Sequence, residues 1–430
     1  MSKSSYKASP YDIWQSTQIN LYMPLCRCRI DFAEQIDIDA LKRAVDLSKR
    51  TLPLVGCTYK KGIVRDRWVN KGFSGEDIVR VVPAGDNPEE RITTSLIKHS
   101  NIMGDPHVSL DVVRFADRDT LCLVVTHMLV DGRGLMEYLE LIARLYTSLV
   151  KGTPLPKQHA YKRGTRPLFT KLSLSEKLSL LFGSDISDPF PLTKSTERLM
   201  WPHGEGEKVL TPLMREIAPE SWMRLRAYAK RHGVTINDIL IAAFARSFYQ
   251  ETGVVDVPIP STIDLRARIN PGTNLGITNY ASGCFCEMHV KDSDSLADTA
   301  MQVRHQMMRN KTGLSVLRPI AQLSLATRLL PHRLIEPTLR KVGPRGFCSF
   351  SNVGILDDQK VVFGDTPVTR AFILAQHFWH ECLHVAASTW RGRCYITCSY
   401  TSTTEWSARG EAVFDGIVHE LVETPLEDTR

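Results

Sequence analysis

The sequence lacks the features that mark several large classes of protein. Its 430 residues contain no apolar run approaching the ~18 residues that a membrane-spanning helix needs. The N-terminal stretch MSKSSYKASPYDIW is polar and has no hydrophobic core, so we expect no signal peptide. The ten cysteines include no Cys-x-x-Cys pair, which argues against a zinc ribbon or a dithiol redox motif. These absences predict a cytoplasmic chain with free, buried thiols and no metal site.

The charge pattern argues against a nucleic-acid partner and gives only weak support to any other. The net charge of +7 is modest for this length, and the basic residues are scattered along the chain. No basic recognition helix accompanies them, so nucleic acid is not an expected partner. A mildly basic, solvated surface explains the charge, and it leaves a weak preference for anionic partners such as a phosphate-bearing cofactor or an acidic carrier protein.

Length and hydrophobic patterning predict two domains. The chain exceeds the size at which one hydrophobic core stops growing. Helical and strand-like patterns mix without strict alternation in both halves, which is typical of α+β domains. We expect a first domain over residues 1–165, a linker rich in Pro, Lys, Ser and Gly over 166–207, and a second domain over 208–430. No fixed-period repeat is present, and a ligand cleft between two similar halves would fit this organisation.

The stretch LCLVVTHMLVDG, from Leu121 to Gly132, is the strongest candidate for a functional site. Its first residues are apolar and β-branched, which predicts a buried strand, the second of a hairpin with VSLDVVRFA. The strand ends on His127, and Asp131-Gly132 turns the chain into the helical pattern GLMEYLELIARLYTSLVKG. A titratable imidazole at the rim of a rigid strand could serve as a general base, although a histidine at a strand end can equally be structural.

This stretch resembles the H-x-x-x-D-G motif of the thioester-dependent acyltransferase superfamily. Four further stretches resemble other segments of the superfamily and follow the same order along the chain. The superfamily includes condensation domains of nonribosomal peptide synthetases, chloramphenicol acetyltransferase, plant acyl-CoA-dependent acyltransferases and stand-alone polyketide-associated acyltransferases. The other stretches are DALKRAVDLSKRTLPLVGCTY, VTINDILIAAFARSF, STIDLRARINPG with ITNYASG, and SFSNVG. The resemblance covers most of the chain and implies a stand-alone member active in natural product biosynthesis.

The resemblance implies a fold and a mechanism. The fold would be two chloramphenicol-acetyltransferase-like domains in a V, with a tunnel at their interface. His127 would lie midway along the tunnel and take a proton from the acceptor as it attacks the thioester carbonyl. The co-substrate would be acyl-CoA, or an acyl group on the phosphopantetheine arm of a carrier protein, and the partner a small-molecule acceptor. A monomer is expected.

The resemblance also implies roles for the other motif residues. Asp131 would pair with Arg266 and hold the loop that presents His127. Gly132 would give room where the acyl group passes. Ser351 and Asn352 would be polar groups near the developing oxyanion, with capping of a strand end as an equal alternative.

Two departures from the family pattern narrow the substrate class. Condensation domains and wax ester synthases usually carry two adjacent histidines, and Thr126 stands at the first of these positions. This weakens the case for amide-forming condensation. The Asp-Phe-Gly-Trp-Gly signature of the plant enzymes is absent, with NVGILDD in that region, so acylation of plant phenolics is not indicated.

A competing motif is HECLH, from His380 to His384, which matches the H-E-x-x-H signature of zinc proteases. That signature needs a helix, so that both imidazoles project from one face, and a third ligand downstream. The following LHVAASTWRGRCYITCSY predicts a strand, a tight turn and a strand instead. The sequence therefore favours an acyltransferase that moves an acyl group from acyl-CoA to a hydroxyl or amine. The alternatives are a carrier-dependent condensation enzyme, a catalytically silent binding module and, last, a metalloprotease.

Overall fold

The computed structural model describes residues 4–98, 101–159, 163–183, 209–342, 348–379 and 382–424. Helices and strands alternate irregularly through these ranges, as the α+β prediction requires. The strands are β1 Ser5–Lys7, β2 Tyr22–Met23, β3 Leu25–Phe32, β4 Cys57–Lys60, β5 Arg67–Asn70, β6 Val79–Pro83, β7 Val108–Arg114, β8 Asp119–Thr126, β9 Val209–Ile217, β10 Asp256–Asp264, β11 Ala281–His289, β12 Ser349–Ile355, β13 Val368–Leu374, β14 His377–Phe378, β15 His384–Trp390 and β16 Arg393–Ser402.

The helices pack on two larger sheets. They are α1 Pro10–Thr17, α2 Ile38–Ser48, α3 Gly75–Ile78, α4 Pro88–Ile97, α5 Gly132–Val150, α6 Leu174–Phe182, α7 Pro219–Arg231, α8 Ile236–Thr252, α9 Leu296–Thr312, α10 Arg318–Leu329, α11 His332–Val342 and α12 Thr404–Val422.

The first sheet carries the H-x-x-x-D-G stretch and has the strand order β13-β3-β8-β7-β6. The hairpin predicted from VSLDVVRFA and TLCLVVTH is confirmed as antiparallel β7 and β8, with Val108 opposite Val125. Helix α5 begins after the N-cap Asp131 and buries the apolar stripe that its spacing predicts. The stripe consists of Leu135, Tyr138, Leu139, Ile142 and Leu145.

The second sheet has the order β11-β10-β12-β15-β16-β9 and a separate hydrophobic core. Its central helix is α8, packed beside α9 and α12. Thr235 and Asp238 form a capping box at its start, and Gly253 ends it with φ of 71°. Most of its side chains are buried, as its largely apolar sequence predicts.

One strand departs from a simple division into two consecutive halves. β13 comes from the distal part of the chain, yet it pairs antiparallel with β3 at the edge of the first sheet. A shorter pairing of β14 with β2 joins the same two parts of the chain. The domain limits given above remain predictions, but the first sheet includes a strand from beyond residue 208.

Two further sequence expectations meet the structure. All ten cysteines are buried and unpaired, in agreement with the absence of a disulfide framework. Within the described ranges, no helix is long and apolar enough to cross a membrane. The apolar segment VVFGD forms no strand, because only a single bridge between Phe363 and Thr366 forms around Gly364, whose φ of 63° turns the chain.

Candidate active site

His127 is the first residue beyond β8, where the chain turns toward α5. Its backbone N–H donates to the carbonyl of Pro24 at 2.6 Å, and Leu129 N–H donates back to Thr126 at 2.9 Å. The three apolar residues between the motif histidine and aspartate are fully buried and anchor the turn. They are Met128, Leu129 and Val130. The apolar residues of the motif thus fix the backbone of the turn, while His127 stays partly exposed.

Two side-chain amides face Nδ1 of His127. Asn279 Nδ2 lies 3.1 Å from Nδ1, and Gln15 Nε2 lies 3.2 Å from it. The amide oxygens are engaged elsewhere: Asn279 Oδ1 accepts from Ala281 N–H, and Gln15 Oε1 accepts from the Tyr22 hydroxyl. These two donors favour the neutral tautomer with its proton on Nε2, whereas the carbonyl of His127 itself favours a proton on Nδ1.

The other ring nitrogen, Nε2, bonds to no protein group in the described ranges. Burial lowers the pKa of His127 below its ordinary value, and the opposing effects of its own carbonyl and of Asp131 do not cancel this. The ring is therefore neutral at pH 7, as a proton acceptor must be. One nitrogen is oriented by the protein and the other is left for a ligand.

Asp131 and Arg266 form the ion pair that the resemblance implied. Arg266 donates through both terminal nitrogens, at 2.9 Å to Oδ2 and 3.0 Å to Oδ1. Asp131 also accepts from Gly134 N–H at 2.7 Å and from Tyr280 N–H at 2.7 Å. Burial alone would raise the pKa of Asp131, but the Arg266 charge and these bonds hold it below its usual range. This carboxylate, 3% exposed, is fully occupied by structural contacts.

The same pair joins the two sheets. Arg266 lies in the turn after β10, where it also donates to Asp264 and to the carbonyl of Thr278. Asn279 and Tyr280 follow directly, so one segment of the second half supplies both the amide at His127 and the N–H at Asp131. The ion pair therefore fixes the relative position of the histidine and its amide partner.

Gly132 permits a close approach between the halves of the chain. A Cβ at this position would lie 2.7 Å from Cγ1 of Val353 on β12. The space beside the motif glycine is therefore filled by a side chain of the second sheet.

Ser351 and Asn352 lie on the same strand, β12. Within the described residues, no hydrogen bond joins either side chain to the imidazole. Asn352 Oδ1 accepts from Gly354 N–H at 3.1 Å, at a bulge where Gly354 has φ of 97°. This contact stabilises a bulge inside the strand and does not cap a strand end, and a position near the oxyanion stays a prediction for both residues.

The side chain of Thr126 contacts a second histidine, His107. Its hydroxyl lies 2.7 Å from Nδ1 of His107, whose Nε2 lies 3.0 Å from the carbonyl of Ile102. His107 precedes β7 and is fully buried, and burial lowers its pKa to about 3. The threonine thus belongs to a structural contact on the other side of the strand from His127.

Arg163 was not singled out in the sequence, yet it ties the His127 turn to α1. Its guanidinium donates to the carbonyls of Leu129 at 2.7 Å and Met128 at 2.8 Å, and to Asp12 Oδ1 at 2.7 Å. Asp12 also caps α1 with Ser9. Helix α1 thereby presents Gln15 to the imidazole.

The described end of the HECLH stretch enters a strand and not a helix. His384 opens β15, and its Nδ1 bonds to Ser349 Oγ on the neighbouring strand. Burial and the nearby His127 lower the pKa of His384 to about 3. His380 and Glu381 lie outside the described residues. Among the described residues, no group of three metal-binding side chains is present.

Comparisons with known proteins agree with this architecture. Residues 216–356 match the family model described as the phthiocerol/phthiodiolone dimycocerosyl transferase C-terminus. A search of curated protein sequences finds no match.

Solved structures match over nearly the whole chain. Polyketide synthase associated protein 5 from Mycobacterium tuberculosis is 15% identical, with 98% of each chain covered and a TM-score of 0.66. The trichothecene 15-O-acetyltransferase TRI3 from Fusarium sporotrichioides is 12% identical, with 98% of this chain and 95% of that chain covered and a TM-score of 0.71. The first condensation domain of the calcium-dependent antibiotic synthetase is 15% identical, with 97% and 95% covered and a TM-score of 0.64.

Residues 216–356 are thus similar to that family model, and nearly the whole chain shares the fold of condensation domains and an acetyltransferase. The neighbours named above include an acetyltransferase and a condensation domain.

Proposed function

We propose that this chain transfers an acyl group from acyl-CoA to a hydroxyl or amine of a small molecule, with His127 as the general base. The observation that carries the proposal is the partly exposed, neutral imidazole at the H-x-x-x-D-G turn, with Nδ1 held by two amides and Nε2 without a partner among the described residues. An imidazole so placed can accept a proton from a bound acceptor.

The proposed step balances without a covalent enzyme intermediate. The acceptor O–H or N–H gives its proton to Nε2 as the oxygen or nitrogen attacks the thioester carbonyl. The tetrahedral intermediate then collapses, the C–S bond breaks, and the departing thiolate takes the proton from the imidazolium. Binding both substrates side by side supplies much of the rate enhancement, because it removes the entropic cost of their encounter.

The base must pass through the other tautomer. Nε2 accepts a proton only when the ring's own proton sits on Nδ1, and the carbonyl of His127 can then accept that N–H. The donors of Asn279 and Gln15 favour the Nε2–H form at rest. Rotation of these amides would therefore accompany catalysis.

Asp131 and Arg266 are assigned to positioning. Their carboxylate and guanidinium are committed to each other and to backbone groups, so neither has capacity for proton transfer. A catalytically silent binding module is the less favoured function, since it would need neither the oriented imidazole nor this ion pair.

A thiol-release assay over acyl-CoA and carrier-bound donors, with pooled acceptors, tests the proposal. His127→Ala should remove the release that wild type shows with acyl-CoA. His305, exposed on α9, supplies a matched control, and His305→Ala should retain full activity. Release only from the carrier-bound donor would favour the condensation enzyme, and equal rates in wild type and His127→Ala would refute the mechanism.

A further inference from the structure

A group of large apolar side chains is exposed where the loop between β4 and β5 meets the junction of α10 and α11. Ile63 is 73% exposed and Leu334 is 65% exposed. Val64, Leu329 and Leu330 complete the group, which we call the apolar patch. Single exposed apolar residues are common on protein surfaces, but several that lie together indicate contact with an apolar partner.

Hydrogen bonds hold the two segments of the apolar patch together. The first two N–H groups of α11 donate to the carbonyls of Val64 and Ile63, at 3.1 and 3.3 Å. Arg65 donates to the carbonyl of Leu330 at 2.6 Å and to that of Arg328 at 2.7 Å. Each helix end thereby gains partners for backbone groups that its own turns leave free. The patch is therefore a preformed part of the surface, because its backbone is fixed.

The two acidic residues of these segments are engaged within the protein. Asp66 Oδ2 lies 2.7 Å from Nδ1 of His332, and this carboxylate raises the pKa of His332. Glu336 pairs with Lys61 at 2.6 Å and with Arg340 at 2.7 Å. No other acidic residue occurs in 60–67 or 328–340. The uncompensated charge beside the apolar patch is therefore positive.

Two cations from each segment are exposed and make no ion pair with another described residue. They are Lys60, Arg67, Arg328 and Arg333. The last two directly precede exposed leucines of the apolar patch in the sequence. Bulky apolar side chains with adjacent cations are typical of proteins that bind the interface of an anionic bilayer.

We propose that the apolar patch binds the surface of an anionic phospholipid membrane. Its apolar side chains would enter the boundary between headgroups and acyl chains, and the neighbouring arginines would meet lipid phosphates. The contact is peripheral and reversible, because only side chains of a loop and of two helix ends enter the bilayer. This inference goes beyond the proposed acyl transfer and does not depend on it.

Charge favours a lipid surface over a second copy of this chain. In a symmetric dimer the same patch contacts itself, so the arginines of one copy would face those of the other. Lipid phosphates instead offer the opposite charge. Shape favours the bilayer over a folded partner, because a side chain that projects as far as Ile63 needs a matching groove in a protein but none in a fluid bilayer.

Co-sedimentation with vesicles tests the proposal. We expect the protein to bind vesicles of phosphatidylcholine with about one third phosphatidylglycerol, less at high salt, and to bind pure phosphatidylcholine poorly. Ile63→Ser with Leu334→Ser should lower the partition coefficient by about tenfold for each side chain. Urea unfolding of this double variant should keep the wild-type midpoint, since both side chains are exposed in the folded protein.

Matched variants separate the apolar patch from exposed residues in general. Met223→Ser with Met308→Ser removes exposed apolar side chains from α7 and α9 and should bind vesicles as wild type does. Arg328→Gln with Arg333→Gln should lower binding to the anionic vesicles by about fivefold for each charge. Its charge-matched control combines Arg43→Gln and Arg226→Gln, both exposed elsewhere, and should leave binding unchanged.

A site-specific label shows which surface touches the lipid. All ten native cysteines are buried, so a polarity-sensitive fluorophore can be attached selectively to Val64→Cys or to Met308→Cys. Emission of the label at position 64 should shift to the blue on anionic vesicles, and emission of the label at position 308 should not.

Three results would overturn the proposal. The first is equal vesicle binding by wild type and by the variant with Ile63→Ser and Leu334→Ser. The second is no binding of wild type to the anionic vesicles. The third is a wild-type dimer in size-exclusion chromatography that this double variant loses, which would assign the apolar patch to a second copy of the chain.

Discussion

Two histidines at the same end of one hairpin differ in how completely the protein binds their rings. His107 precedes β7 and is fully buried, His127 follows β8 and is partly exposed, and desolvation lowers the pKa of both rings. Among the described residues, both nitrogens of His107 have protein partners, Thr126 and Ile102, whereas only Nδ1 of His127 has them. A desolvated histidine is thus a candidate for catalysis when its hydrogen bonding is incomplete, and a lowered pKa alone does not distinguish the two.

The largest difference should follow from removing each ring in turn. His127→Ala should lower kcat by about 10²–10⁴-fold, the usual contribution of a general base, with the free energy of unfolding nearly unchanged. His107→Ala should instead lower the free energy of unfolding by about 1–3 kcal/mol, because it leaves buried groups unsatisfied. Thiol-release kinetics and urea unfolding of both variants measure the contrast. Equal losses of kcat in the two folded variants would remove the distinction.

The second prediction concerns the support beneath His127. Asp131→Ala leaves the Arg266 guanidinium buried without its partner and should cost about 3–5 kcal/mol of unfolding free energy. Activity should fall with it, because the turn and Asn279 lose their common anchor. Urea unfolding beside kcat is the measurement. Among the described residues, no ion pair holds the loop that carries His107. A joint loss of stability and activity on removal of one charge is therefore expected only at the His127 turn.

Asp131→Asn is the matched control, and it gives the pH dependence its sign. The pKa of Asp131 is depressed in the folded state, so its ionisation stabilises the protein above the unfolded value of about 3.9. This contribution is lost as the pH falls through the folded pKa. The difference in stability between wild type and Asp131→Asn should therefore shrink below about pH 4; a constant difference would contradict the ion-pair assignment.

The third prediction concerns Asn279, an amide partner of Nδ1 of His127. Asn279→Asp keeps the oxygen that accepts from Ala281 N–H and places a carboxylate beside the ring in exchange for an amide donor. A carboxylate at this distance should raise the pKa of His127 by roughly 1–3. In wild type the acidic limb of the kcat/KM profile should lie below pH 6.5, and in the variant it should move upward. An unmoved limb would exclude Nδ1 as the nitrogen that Asn279 controls.

The smallest effect on stability and activity is expected for Thr126, the hydrogen-bond partner of His107. Thr126→Val removes one buried hydroxyl contact to His107 and should lower the free energy of unfolding by about 1 kcal/mol. Activity should stay within twofold of wild type, which thermal unfolding and thiol release together would establish. A large loss of kcat would mean that the Thr126–His107 contact serves the reaction after all.

Much of this site could be predicted from residues close together in sequence. The hairpin, the turn at His127 and the helix capped by Asp131 all follow from local patterning, and they lie where the patterns indicate. The pairing of Asp131 with Arg266 came from resemblance, since no local rule joins residues so far apart.

The partners of His127 could not be predicted in the same way. Gln15 lies in the helix α1, only eight residues long, which begins within the polar stretch MSKSSYKASPYDIW. Its contact with His127 spans 112 positions, and that with Asn279 spans 152. The stretch ITNYASG contains Asn279, but the sequence does not give the distance of Asn279 from the imidazole, because that distance depends on how the two sheets pack. Strand β13 was missed as well, because a short segment containing Thr369 and Arg370 carries a weak strand pattern.

The pairing of β13 with β3 has a consequence for synthesis of the chain. A nascent polypeptide leaves the ribosome with its N-terminus first. The edge of β3 that β13 covers must therefore stay open until residue 374 has emerged, long after the H-x-x-x-D-G turn itself. An open edge strand is a template for pairing with other chains. Completion of the sheet that carries His127 thus becomes a late event, which waits for residue 374.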